Sequence, residues 1–214
     1  MRRLPVFLVL DTSYSMTGAP LEAINEGQHA LAEALRQDPF ALETVYISIV
    51  EFSTEARQIT PLTDLMQFSP APLQANGATA LGKALQVTAE AIATDVQSAS
   101  ATTKGDWRPL VFVFTDGRPT DDPRTGIKAI QQAKAGTIIG CAAGPHADRN
   151  ILAEFSDHVV VLETLDKDAI HAFFKWVSAS VSMTSHSIES GNEGGGAELP
   201  PAPDEIQVIN LNKD

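Results

Sequence analysis

Apolar residues along this chain follow two rhythms. Residues 4–10 (LPVFLVL) are apolar throughout and rich in Leu and Val, the pattern of a central strand buried on both faces. Residues 20–36 instead set Leu21, Ile24, Leu31 and Leu35 on a helical period. The same alternation continues. Strands are expected over 44–52, 110–115, 137–142 and 158–162, and helices over 79–96, 123–135, 149–155 and 167–181. Residues 56–60 lie close enough to 44–52 for a hairpin. The order β-α-β-β-α-β-α-β-α-β-α predicts an α/β fold of the doubly wound type. Its six-stranded sheet is mostly parallel, with one antiparallel edge strand and helices on both faces. No internal repeat interrupts this order.

The pattern changes near Met183. Residues 184–203 hold four glycines and three prolines and almost no large apolar side chains. Such a stretch buries too little surface to offset its ordering entropy. The chain therefore divides into a domain over 1–182 and a flexible, Gly/Pro-rich, acidic C-terminal tail over 183–214. Ile206, Val208, Ile209 and Leu211 near its end could add a strand to a sheet edge or serve as a docking peptide, but a frayed terminus is the favoured reading.

Charge narrows the function. The 214 residues carry 15 Lys+Arg and 27 Asp+Glu, a net −12. The tail, with six acids against Lys213, holds −5 of this. An acidic surface repels a phosphate backbone and an anionic membrane, so neither nucleic acid nor membrane is expected as a partner. The single cysteine, Cys141, sits in an apolar strand and reads as a buried thiol. The basic start Met1-Arg2-Arg3 leads into a short apolar run, but Asp11 ends that run and no small-residue cleavage site follows. A soluble, cytoplasmic protein is expected.

In a doubly wound sheet, chemistry belongs to the loops after the strands. After the first strand comes Asp11-Thr12-Ser13-Tyr14-Ser15; after 110–114 comes Thr115-Asp116-Gly117; before the middle helix comes Asn76-Gly77-Ala78-Thr79. Together they offer hard oxygens from Asp11, Ser13, Ser15, Thr79 and Asp116. Any one of these residues alone is an ordinary cap or turn former. All five together suit one hard divalent cation, Mg²⁺ with Mn²⁺ or Ca²⁺ as alternatives. No His or Cys shares these loops, which argues against Zn²⁺. Two carboxylates would neutralise a divalent ion and leave it electrophilic, so an acidic side chain on a partner could complete its shell.

These residues resemble the motifs of von Willebrand factor type A domains. Asp11-Thr12-Ser13-Tyr14-Ser15 is similar to that family's D-x-S-x-S, and Thr79 and Asp116 match its two remaining metal positions. The resemblance covers residues 4 to 182. It implies a Rossmann-like domain with a metal-ion-dependent adhesion site, in which Ser13, Ser15 and Thr79 bind directly or through water, Asp11 through water and Asp116 mostly so. A narrower resemblance, to the small bacterial TerY proteins of tellurite-resistance clusters, rests on residues 1–6, 34–39 and 42–44. It implies an adaptor role in chemical-stress response beside protein kinases and phosphatases. Tyr14 departs from the Gly that many family members carry there, so it must take an ordinary backbone conformation, with its ring free to shape the rim.

Enzyme readings fare worse, and no catalytic activity is expected. A haloacid-dehalogenase-type phosphatase needs a second Asp where this chain has Ser13, which cannot serve as general acid. An aspartic protease needs a second Asp-Thr-Ser turn, and no G-x-S-x-G follows a strand. A metal-assisted hydrolase or phosphatase is the runner-up, and an interaction protein with a vestigial metal site the third reading. His146 reads as an exposed loop residue and His171 and Trp176 as packing or surface. Asp121-Asp122 reads as the cap of the helix that begins at Pro123.

Overall fold

The computed structural model describes residues 2–189, 197 and 199–211. Among the described residues seven strands form one sheet: β1 (Leu4–Asp11), β2 (Val45–Phe52), β3 (Ala56–Asp64), β4 (Leu110–Thr115), β5 (Thr137–Ala143), β6 (His158–Leu162) and β7 (Ile206–Asn210). Their spatial order is β3-β2-β1-β4-β5-β6-β7. The β2-β1-β4-β5-β6 core is parallel, and β3 and β7 close the two edges antiparallel. The α-helices among these residues are α1 (Ala19–Arg36), α2 (Pro39–Thr44), α3 (Leu81–Asp95), α4 (Arg124–Gln132), α5 (Arg149–Phe155) and α6 (Lys167–Glu189).

Every side chain of β1 is buried, because the sheet has helices on both sides. Val6, Leu8 and Leu10 pack with α1 and α6, whereas Phe7 and Val9 pack with α3, α4 and α5. The period of two along the strand thus feeds two separate cores. On the second face Gly126 of α4 comes so close to Gly82 of α3 that a Cβ would collide with its carbonyl. This contact holds the first turns of α3 and α4 together, and with them the loops that precede both helices.

The expected six-stranded sheet with one antiparallel edge is corrected to seven strands with two. β7, favoured as a frayed end, pairs Ile206 with Leu162 and Asn210 with His158. It covers the edge of β6, whose main-chain groups would otherwise be unpaired. The last helix also passes its expected end at Val181 and continues to Glu189. Its Ser and Thr content hides this from a composition reading. Ser180 and Thr184 are buried and donate to the carbonyls four residues back, at 2.8 Å each, so their hydroxyls are satisfied inside the helix. The Gly-rich part of the expected flexible tail, 190–196, lies outside the described residues. Trp176 donates its indole N–H to the Pro200 carbonyl (3.1 Å), so the segment after α6 lies against the domain there. The unexpected α2 begins at Asp38-Pro39, where Asp38 accepts from the Phe40 and Ala41 N–H groups. Among the described residues no helix is long and apolar enough to cross a membrane.

Candidate metal centre

The chain leaves β1 toward α1 on one face and leaves β4 toward α4 on the other. The loops after β1 and β4 therefore part at the centre of the sheet, and the crevice between them is the topological switch point. Leu10 pairs with Phe114 in the ladder, so Asp11 and Thr115 lie side by side at its end.

Asp11 is fully buried. Its Oδ1 accepts the Ser13 N–H (2.8 Å) and its Oδ2 the Thr115 hydroxyl (2.6 Å). Next comes a single 3-10 turn, Tyr14–Met16, which brings the Ser13 and Ser15 hydroxyls 3.1 Å apart. The Ser15 hydroxyl donates in turn to Asp116 Oδ1 (2.9 Å). Asp11, Ser13, Ser15 and Asp116 thus form one connected set of oxygens.

Main-chain bonds seat the remaining loop on this set. Asn76 N–H donates to the Thr12 carbonyl (2.8 Å), and Tyr14 N–H to the Gly77 carbonyl (3.0 Å). Gly77 has φ +64, and a Cβ there would run into the Thr54 hydroxyl, so a glycine is required on both counts. Thr79 is buried. Its N–H donates to Thr120 Oγ1 (3.1 Å), and its carbonyl accepts the Thr120 N–H (2.9 Å). Its hydroxyl lies beside Gly117, where a Cβ would stand 3.3 Å from Oγ1. The structure thus places Thr79 against the loop that carries Asp116, although its hydroxyl makes no hydrogen bond to the other four residues.

Burial dominates the electrostatics. It pushes the Asp11 carboxyl up to about 6, against the hydrogen bonds from Ser13 and Thr115 that favour the charged form. Burial also raises Asp116, opposed by the Ser15 hydroxyl and by the positive field of His146. Among the described residues neither carboxylate is paired with a Lys or Arg. Two buried acids lacking a cationic partner, joined to hydroxyls, fit a cation. The spacing fits as well: in an octahedron with bonds of ~2.1 Å, neighbouring oxygens are ~3 Å apart. The hydroxyl–hydroxyl and hydroxyl–carboxylate separations of 3.1 and 2.9 Å match such edges. Among the described residues no three His, Cys, Asp or Glu side chains cluster as metal ligands, so the donor set depends on its hydroxyls.

The neighbours sort differently from expectation at one point. Asp121 caps α3 rather than the helix it precedes, taking the Gly82 N–H (3.1 Å) and the Lys83 N–H (2.9 Å). The packed first turns of α3 and α4 bring it there. Asp122 does cap the start of α4 as expected, accepting the Arg124 N–H (3.1 Å), and also pairs with the Arg124 guanidinium at 2.6 Å. Tyr14 is 72% exposed and avoids positive φ; among non-glycine described residues only Lys134 has it. His146 is exposed. Thr115, whose hydroxyl orients Asp11, has a role that is not among those expected from the sequence. Its place in Thr115-Asp116-Gly117, at a strand end next to a strand ending in Asp11, was the available signal.

Comparison with known proteins identifies the family and the fold. The family model of the von Willebrand factor type A domain matches residues 6–175. Similar solved structures include a von Willebrand factor type A protein from Catenulispora acidiphila (17% identity, TM-score 0.63, 85% of this chain and 43% of that one). Another is proximal thread matrix protein 1 from the mussel byssus, with a zinc-occupied MIDAS motif (14%, TM-score 0.61, 85% and 48%). A third is the pilus adhesin SpaC from Lactobacillus rhamnosus GG (12%, TM-score 0.66, 99% and 38%). The chain spans about half or less of the length of each. At these identities the likeness shows the fold. No curated protein sequence matches significantly.

Proposed function

Since the chain belongs to the von Willebrand factor type A family, we propose that it is a non-catalytic interaction module that takes a partner's carboxylate at a divalent cation held by Asp11, Ser13, Ser15, Thr79 and Asp116. One observation carries this reading: Asp11 and Asp116, each accepting a hydroxyl hydrogen bond, converge at the switch point, buried and, among the described residues, without a Lys or Arg partner. When bound, the cation supplies a Lewis-acidic position for an anionic oxygen. The protein's part is to hold the donors. Thr115 and the Ser13 N–H fix the two oxygens of Asp11, and the 3-10 turn directs Ser13 and Ser15 toward Asp116.

Mg²⁺ is the proposed ion, with Mn²⁺ and Ca²⁺ as alternatives, because every donor is a hard oxygen. The same donor argument disfavours Zn²⁺, yet the byssus protein holds zinc at its MIDAS motif, so zinc belongs in the test. The finer assignment, to a cytoplasmic TerY-like adaptor in a bacterial tellurite or chemical-stress response alongside kinases or phosphatases, is supported only by the resemblance of residues 1–6, 34–39 and 42–44.

Calorimetric titration with Mg²⁺, Mn²⁺, Ca²⁺ and Zn²⁺ tests the centre. Wild type should bind, and Asp116→Ala should bind much more weakly. Affinity capture from bacterial lysate should retain a protein that EDTA or Asp116→Ala releases. Metal-dependent turnover of a phosphomonoester that Asp11→Ala abolishes would overturn the module reading in favour of a hydrolase. Capture indifferent to EDTA, with no heat on metal addition, would mark the site as vestigial.

A further inference from the structure

We propose that Arg118 is a specificity-determining residue that reads a second anion on the same partner. The segment bound at the cation centre then carries two acidic side chains two positions apart in an extended stretch. This rests on the reading of the centre as a carboxylate site.

The placement of Arg118 is the first support. It lies two residues after Asp116, so the two Cα atoms are at most ~7 Å apart. Its loop is held on both sides. Asp116 accepts from Ser15, and Thr120 exchanges two hydrogen bonds with Thr79. Pro119 follows Arg118 and restricts its backbone to extended conformations. The side chain is exposed and makes no hydrogen bond or ion pair among the described residues.

The surrounding charges are the second support. Although the chain is strongly acidic, the acids of the loops flanking the centre are already engaged. Asp121 caps α3 and Asp122 is forked by Arg124. Asp148 caps α5, and Glu55 pairs with Lys83. Arg118 is left as an uncommitted cation in the loop that carries Asp116, and the exposed His146 lies close enough to Asp116 to oppose the rise in its pKa. A guanidinium offers a planar two-donor fork to a carboxylate, and so recognises a second acid rather than mere negative field. In an extended peptide, side chains two positions apart share a face ~6.5–7 Å apart. That spacing is of the same size as the largest Cα separation open to Asp116 and Arg118, ~7 Å.

The test uses three synthetic peptides in a neutral Gly/Ser frame, bearing Glu-Ala-Glu, Glu-Ala-Gln or Gln-Ala-Gln, titrated into the full chain with Mn²⁺ or with EDTA. Wild type should prefer Glu-Ala-Glu over Glu-Ala-Gln by about tenfold, a charge-assisted fork being the stronger contact. Arg118→Ala should abolish that preference and Arg118→Glu reverse it. In both variants direct Mn²⁺ titration without peptide should still show binding, which also reports that they fold. A preference that survives Arg118→Ala, or wild type binding both acidic peptides equally in Mn²⁺, overturns the assignment of Arg118 and leaves the carboxylate site standing. Binding of Gln-Ala-Gln as tightly as the acidic peptides, binding indifferent to EDTA, or no binding of any peptide overturns the carboxylate reading itself, and this inference with it.

Discussion

Asp11 should destabilise the metal-free domain at neutral pH, and its replacement by Asn should reveal this. Burial raises its carboxyl from the ordinary 3.8 to about 6. The native state therefore holds this proton more tightly than the unfolded chain does. The stabilisation it brings is complete below about pH 4 and is lost as pH rises through 6. That rise corresponds to about 3 kcal/mol. In Asp11→Asn the introduced amide stays neutral throughout. Its carbonyl can still accept the Ser13 N–H, and its NH₂ can donate to the Thr115 hydroxyl, so the fork of contacts persists with one direction reversed. Any cost of that reversal is the same at each pH and cancels from a comparison across pH. In EDTA, the unfolding free energy of Asp11→Asn minus that of wild type should rise by about 2–3 kcal/mol between pH 4 and pH 7.5, read from urea denaturation with intrinsic fluorescence. Saturating Mg²⁺ or Mn²⁺ should act oppositely, stabilising wild type by about 2.7 kcal/mol at a hundred times Kd and the variant far less. A difference that stays flat across pH, or falls, would refute the claim that a desolvated, uncompensated carboxylate lies at the end of β1.

Three further outcomes are expected. Gly77→Ala should cost about 1–3 kcal/mol in thermal or urea unfolding, since its positive φ and the Thr54 hydroxyl both oppose a Cβ, and should weaken Mn²⁺ binding by displacing the carbonyl that holds Tyr14; unchanged stability and affinity would show that the loop adapts. Asp121→Ala should lower stability in urea unfolding by about 1 kcal/mol through the Gly82 and Lys83 N–H groups it leaves unpaired; an unchanged midpoint would show that water replaces the cap. A chain ended at residue 189 should be clearly less stable and, in a Trp107→Phe background, show red-shifted Trp176 emission, because β7 and the Pro200 carbonyl are removed; a tail that is merely a linker would leave both readouts unmoved.

How much was legible in advance differs from element to element. β1 and β4 were plain because strands buried on both faces must be apolar at every position, and such runs are rare outside parallel sheets. β7 was not, since an edge strand needs only one face covered, and Ile206-Gln207-Val208-Ile209-Asn210 could as well have ended in solvent. The end of α6 escaped for a different reason. Serine and threonine disfavour helices on average, but here their hydroxyls are buried and bonded within the helix. In the candidate centre, Asp11, Ser13, Ser15, Thr79 and Asp116 could be named from position and type. The roles of Thr115 and Asp121 depend on contacts across about a hundred residues in one case and about forty in the other.

By itself, then, the order of apolar runs determined a doubly wound sheet, and the hard-oxygen residues after its strands determined the kind of chemistry that could gather there. These are local facts, set by periodicity and by which side chains carry oxygen. Only the tertiary structure decided that the Ser15 hydroxyl meets Asp116, that Asp121 caps a helix other than its own, and that Asp11 is buried deeply enough to hold its proton near pH 6. Those outcomes depend on which loops diverge at the switch point and on the close approach of α3 and α4. Distances and desolvation arise only when separate segments pack together.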